Sequence, residues 1–343
     1  MSSLILKTIG IICFVAGKSG GHLIPCTTKA QQLLQENYSV CLFSSGSELD
    51  KQILDKHPEI THLCPAELEN IPPEWWRKPW FFCTFCYYFC RSCYELYKMK
   101  PQKIVSFGGL VSVPVCLAGK VLGIPLELHE LNVEPGRAIN FTAQFTNSVH
   151  IYFPESAAHF PKHTTILDQY PVRFTEQDKQ FNKKELSKKF NLDPQKKTLL
   201  ILGGSQGSIT LNQLIKFFVQ EHPELTDKIQ IIHQTGTQDS ENYTDFYHNQ
   251  GVTAFVCPFY SHLEDFYNLS DVIICRAGAG TIFETRFFQK PAIVIPHETT
   301  STTHQISNAE SMMRSYPDQF FMTREQDCSI AMLTEKIKTM LKL

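Results

Sequence analysis

The stretch "FVAGKSGGHLIPC", residues 14–26, joins an apolar run to a glycine turn and then to a helix-forming segment. Gly17, Lys18 and Ser19 invite comparison with the nucleoside-triphosphate loop G-x-x-x-x-G-K-[ST], whose first glycine lets backbone N–H groups curl around a phosphate. Ile12 stands where that glycine is needed, so the loop loses its geometric basis, although Lys18 remains a cation for a phosphate. What is left is a strand, then Gly17, Gly20 and Gly21, then a helix expected to start near Leu23 or Ile24. Such a turn leaves unpaired N–H groups and the positive end of a helix dipole facing outward, which suits a diphosphate or an oxyanion.

The same grammar recurs in "SFGGLVSVP" (106–114), "ILGGSQGS" (201–208) and "CRAGAGT" (275–281). Around these turns, apolar runs such as "IGIICFVA", "SVCLFSS", "PLELHE" and "VHIYF" in the first half, and "KTLLILGG", "IQIIHQTG", "VTAFVCP" and "PAIVIPH" in the second, alternate with helix-length segments. Strands apolar on both faces and separated by helices predict an α/β fold of two Rossmann-like, doubly wound domains with buried parallel sheets. With 343 residues, each domain can bury its own core. The boundary is expected within "DQYPVRFTEQDKQFNKKELSKKF" (168–190), dividing the chain into 1–172 and 173–343, with the last helix a candidate to pack back on the first domain. Ligands of open α/β sheets sit beyond the carboxyl ends of the strands. Glycine turns in both halves therefore place the expected site in a cleft between domains.

Composition narrows the classes. Thirty-two basic and thirty-four acidic side chains give a net charge of −2, without the strongly basic surface of a nucleic-acid binder. Most of the twelve cysteines lie in apolar runs, where free Cys behaves as a small hydrophobe, so a reduced compartment is expected. Cys83, Cys86, Cys90 and Cys93 step by three, four and three, which marks a helix stripe rather than a zinc knuckle. No run reaches the ~20 apolar residues of a membrane-spanning helix.

Residues 71–103 concentrate Trp75, Trp76, Trp80, Phe81, Phe82 and Phe85 beside Arg77, Lys78, Arg91, Lys98, Lys100 and Lys103. Amphipathic rings with adjacent cations fit an anionic membrane surface. The expected arrangement turns the cysteine stripe inward and Trp75 to Phe82 outward.

The ordered set "GKSGGH", "FGGLVSVP", "LGIPLELHELN", "PVR", "LGGSQGS", "HQTG", "SDVIICRAGAGTIFE" and "HQISNA" resembles the MurG family of bacterial cell-wall glycosyltransferases over nearly the whole chain. The resemblance implies a GT-B fold and transfer of N-acetylglucosamine (GlcNAc) from UDP-GlcNAc to the C4 hydroxyl of the N-acetylmuramic acid (MurNAc) of lipid I, giving lipid II. It implies inversion at the anomeric carbon without a covalent enzyme intermediate, and peripheral attachment to the cytoplasmic face of the inner membrane. It implies no cofactor and no obligatory metal. A GT-B transferase with a different acceptor, or a catalytically silent sugar-nucleotide binder, remains an alternative.

The resemblance also implies roles. His22 is a candidate general base or phosphate contact, since imidazole titrates nearest neutral pH. Glu284 would accept from the ribose hydroxyls. Ser19, Gly20, Gly21, Ser205, Gln206, Ala279, Gly280 and Thr281 line the donor, with Arg173 pairing phosphate oxygens. His304, Gln305 and Asn308 would read the sugar, while Phe259 and Tyr260 would lie around the uracil. Asn132 is assigned to sugar or acceptor contacts and to catalysis, and Lys18, Gly108, Gly109, His129 and Glu130 to acceptor or phosphate. The chain departs from the family's usual GGTGGH at Lys18 and Ser19, and from HEQN at Leu131.

Overall fold

The computed structural model describes residues 8–17, 19–65, 67–68, 71–204, 207–298 and 304–343. The chain divides into two compact units, Met1–Arg173 and Phe174–Leu343.

The first unit runs β1 (Ile11–Val15), α1 (Gly20–Gln35), β2 (Ser39–Phe43), α2 (Glu48–Leu54), β3 (Thr61–Leu63), α3 (Lys78–Met99), β4 (Lys103–Ser106), α4 (Ser112–Val121), β5 (Leu126–Glu130), α5 (Arg137–Ala143), β6 (Ser148–Ile151) and β7 (Thr164–Leu167). Its strands form one parallel sheet in the order β3-β2-β1-β4-β5-β6-β7. The second unit runs α6 (Lys183–Lys189), β8 (Lys197–Leu202), α7 (Ile209–Glu221), β9 (Ile229–Gln234), α8 (Tyr243–Asn249), β10 (Ala254–Cys257), α9 (Leu263–Leu269), β11 (Val272–Cys275), α10 (Ala279–Phe287), β12 (Ala292–Val294), α11 (His304–Ser315), β13 (Phe320–Met322) and α12 (Ile330–Leu341). Its sheet is also parallel, in the order β10-β9-β8-β11-β12-β13. The apolar runs of the sequence are β1, β2, β4 to β6 and β8 to β12, with β10 at a sheet edge. β3 and β7, short edge strands that are mostly exposed, carry no such run, and the three-residue β13 lies at the other sheet's edge.

Alternate residues of β1 show why these strands need apolar side chains on both faces. Cys13 and Val15 join Ile104, Leu128 and Val149 in a core with Val115 and Cys116 of α4, while Ile12 and Phe14 are equally buried on the other side. In the second unit, α12 sends Leu333, Ile337 and Leu341 into that unit's own core beside Ile215 and Phe218 of α7. The apolar face of the last helix is thus used within the second unit.

Two expectations are corrected. Helix α1 begins at Gly20 rather than near Leu23, because the first-turn N–H groups have no intrahelical partner and glycine is tolerated there. Helix α3 turns only part of its cysteine stripe inward: Cys83 and Cys90 are exposed, Cys86 is half-buried and Cys93 packs against the core, while Tyr88, Ser92 and Leu96 are buried. Phe81, Phe85 and Phe89 pack on the same inward side, so Phe81 is not a surface ring. Aromatic rings bury more apolar area than thiols, and the helix rotates to favour them. Trp75, Trp76, Trp80 and Phe82 stand out, Trp80 at 78% exposure.

The turns after β1 and β4 meet back to back. A Cβ on Gly109, whose φ is +81°, would lie 2.3 Å from the Gly17 Cα, and one on Gly17 would lie 2.6 Å from the Gly109 Cα. Gly109→Ala therefore costs backbone strain plus a clash, and is expected to lower the unfolding free energy by about 3 kcal/mol. Gly123→Ala, at φ +69° with nothing within 4 Å, carries the strain without the clash. Urea unfolding of both variants should show the larger loss for Gly109→Ala; equal losses would exclude the contact between turns.

Candidate active site

In the first unit, α1 carries Gly20, Gly21 and His22 in its first turn, next to the Gly17–Gly109 contact. Ser19 is the N-cap, with extended backbone, but its side chain makes no cap bond; its Oγ lies 2.9 Å from His22 Nδ1 instead. A Cβ on Gly21 would meet nothing nearer than the Ser19 Oγ at 3.7 Å, so this turn is open rather than filled. Lys18 lies outside the described residues.

The "HELN" segment reads differently in space than in sequence. His129 is fully buried, stacked between Phe107 and His150 with ring centroids 4.6 Å away on each side. Its Nε2 lies 2.9 Å from Glu127 Oε1 and its Nδ1 2.6 Å from the Tyr152 hydroxyl. Burial alone would raise the Glu127 carboxyl, but bonds from His129 and Lys103 outweigh it and hold the group well below the usual carboxylate range. Nε2 therefore carries the ring proton and donates to Glu127, while Nδ1 accepts from Tyr152. Glu127, His129 and His150 also bring potential ligand atoms within 4.8 Å of one another. Within the protein Glu127 is engaged by that proton and by Lys103, and His150 Nδ1 lies 2.7 Å from Asp168 Oδ2.

Glu130 is buried as well, and its oxygens accept from the backbone N–H groups of Asn132 and Gly136, each at 2.9 Å. His129 and Glu130 are thus both buried and hydrogen-bonded within the protein. They shape the loop that presents Asn132, whose carbonyl accepts from Ser156 Oγ. Gly108 and Gly109 act through their backbones in the turn before α4.

In the second unit, α10 opens at Gly278 with no side-chain cap and no acidic residue in its first turn, so the N–H groups of Ala279, Gly280 and Thr281 form a positive terminus. Glu284 follows on the same helix, buried, with its Oε2 accepting from the Tyr267 hydroxyl at 3.0 Å. A second pair of turns meets here: a Cβ on Gly207, at φ +80°, would lie 2.2 Å from the Thr235 carbonyl and 2.6 Å from the Gly236 Cα. Ser205 and Gln206 lie outside the described residues. Gln305 accepts from the His297 N–H at 2.9 Å, next to half-buried His304. Asn308 is buried and donates to the Ala277 carbonyl, tying α11 to the turn before α10. Arg173 closes the first unit, half-buried.

The two rings expected around the uracil differ in their surroundings. Tyr260 stacks on Phe266 at 4.4 Å and gives its hydroxyl to Asp265 at 2.7 Å, so its side chain is committed to the protein. Phe259 is 57% exposed and offers a free ring face.

Sequence reading missed two residues that hold the second-unit turns. Gln234 accepts from the Tyr260 N–H at 3.1 Å, and buried Arg276 donates to Ser208 Oγ, to the Ile295 carbonyl and to Glu325. A lone arginine ending an apolar strand was the available signal for Arg276.

Two doubly wound parallel sheets whose glycine turns open onto uncapped helix ends define a GT-B glycosyltransferase. Residues 12–151 match the glycosyltransferase family 28 N-terminal domain and residues 198–342 its C-terminal domain. The chain is 33% identical to the UDP-N-acetylglucosamine--N-acetylmuramyl-(pentapeptide) pyrophosphoryl-undecaprenol N-acetylglucosamine transferase of Protochlamydia amoebophila, covering 86% of this chain and 78% of the relative. It is 28% identical to the Geobacter metallireducens protein of the same name, over 96% and 89% of the two chains. In fold it is similar to the crystal structure of Acinetobacter baumannii MurG (TM-score 0.72, 22% identity, 97% and 91% covered). It is also similar to a Medicago truncatula protein complexed with UDP-glucose (TM-score 0.68, 13% identity, 97% and 90% covered). The chain belongs to the MurG family.

Burial pushes the Glu130 carboxyl up to about 7, against the pull of its N–H partners. Because this folded value stands above the ordinary 4.5, proton binding favours the fold; the contribution is complete below about 4.5 and is lost as pH rises through about 7. The unfolding free energy of the wild type should therefore fall relative to that of Glu130→Gln between about pH 5 and 8, by on the order of 3 kcal/mol. Parallel pH dependence in urea titrations of the two proteins would refute the assignment.

Proposed function

We propose that this chain is an inverting N-acetylglucosaminyltransferase that moves GlcNAc from UDP-GlcNAc to the C4 hydroxyl of the MurNAc of lipid I, forming lipid II. The observation that carries this reading is the uncapped start of α10 with Glu284 buried on the same helix, in a chain of this family. The N–H groups of Ala279, Gly280 and Thr281 face the diphosphate, Glu284 accepts from the ribose hydroxyls, and Phe259 covers the uracil. His304 and Gln305 contact the sugar.

Inversion follows from a single displacement. The C4 oxygen of the acceptor attacks the anomeric carbon from the side opposite the diphosphate, and its proton passes to His22, whose ring Ser19 orients. The bond to the leaving oxygen breaks with its electron pair, and UDP departs with its charge met by the α10 terminus and the Arg173 guanidinium. Asn132 steadies the acceptor. The chemistry asks for no cofactor and no obligatory metal.

The protein works as a peripheral enzyme on the cytoplasmic face of the inner membrane. Among the described residues, no helix is long and apolar enough to cross a membrane. Trp75, Trp76, Trp80 and Phe82 are exposed beside Arg77 and Lys78, which suits rings at the headgroup boundary and cations toward anionic lipid.

Purified protein should release UDP from UDP-GlcNAc when given a lipid I analogue, and His22→Ala should cut kcat by about 100-fold or more with the donor KM little changed. Donor binding without turnover, or turnover only with another acceptor, would overturn the assignment. In flotation with vesicles containing anionic lipid, Trp76→Ala combined with Trp80→Ala should weaken retention by about tenfold or more; unchanged retention would remove these rings from the membrane surface.

A further inference from the structure

We propose that Tyr267 is a positioning residue: it aims the Glu284 carboxylate at the donor ribose, and this inference rests on the reading of Glu284 as the ribose acceptor. Glu284 lies in the second turn of α10 and is 7% exposed. A buried carboxylate with several rotatable bonds needs a fixed partner if it is to offer lone pairs in one direction. The Tyr267 hydroxyl supplies that partner, donating to Oε2 at 3.0 Å.

The donor itself cannot turn. The Tyr267 ring is fully buried and lies flat on Phe288, with centroids 4.9 Å apart and planes within 10°, and Phe174 meets it edge-on at 5.9 Å. Its backbone is tied into the end of α9, where Ser270 Oγ donates to the Tyr267 carbonyl at 2.8 Å. Phenylalanine would fill this aromatic slot equally well, and what the hydroxyl adds to the packing is the bond to Glu284. The bond holds one carboxylate oxygen and so sets the plane in which the group meets the two vicinal hydroxyls of a ribose.

Tyr267→Phe tests this, since it keeps the stack and deletes only the donor. The readout is steady-state kinetics with UDP-GlcNAc and with its 2′-deoxyuridine analogue, beside Glu284→Gln. Tyr267→Phe should raise the KM for UDP-GlcNAc about tenfold, the size of one hydrogen bond to a charged group, with kcat within about twofold. The preference for the ribo over the 2′-deoxy donor should shrink by a similar factor. If Glu284→Gln loses that preference while Tyr267→Phe behaves as wild type, the positioning role is overturned and the ribose reading stands. If Tyr267→Phe raises KM with the preference undiminished, the effect is loosened packing, and the positioning role is again overturned. A wild-type preference in Glu284→Gln overturns both.

Discussion

The structure depends on backbone meeting backbone without side chains between. In each unit, two turns at the carboxyl ends of neighbouring parallel strands come together, Gly17 against Gly109 in the first and Gly207 against Thr235 and Gly236 in the second. Any β-carbon at Gly109 or Gly207 would sit well inside contact distance of main-chain atoms that have nowhere to move. Because the turns close so tightly, the helices that follow start directly above the sheet. A short turn there is what allows N–H groups, rather than side chains, to confront an anion.

Around those turns, buried polar groups hold what glycine cannot. Glu130 gathers the N–H groups of the loop carrying Asn132, Arg276 clasps Ser208 and the end of β12, and Tyr267 pins Glu284. Each is nearly removed from water and hydrogen-bonded, which is the condition under which a buried polar side chain rigidifies its surroundings rather than weakening them. A transferase of this kind needs such rigidity: the charge that develops on a departing diphosphate is best met by groups already aimed at it.

Much of this was legible in the chain, and the failures share a cause. Apolar runs located ten of the strands, and glycine turns located the candidate site, because both are local consequences of backbone geometry. β3 and β7 were not legible, since mostly exposed edge strands need no apolar run, and β13 is only three residues long. His129 and Glu130 stand in a family motif and so read as ligand contacts, whereas Phe107, His150 and Tyr152, about twenty residues away in sequence, enclose His129, and nearby Gly136 bonds Glu130. The cysteine stripe of α3 had helical spacing, but spacing names a face without saying whether it turns inward.

The sequence by itself determined two parallel α/β sheets, the order of their strands along the chain and the turns at which an anion can be met, because the required residues are neighbours in sequence. Only the tertiary structure decided that Tyr260 packs while Phe259 faces solvent, that Phe81 turns inward, and that a tyrosine seventeen residues away fixes Glu284. Burial and hydrogen bonding are set by which surfaces the fold brings together, and those surfaces come from segments that no local pattern connects.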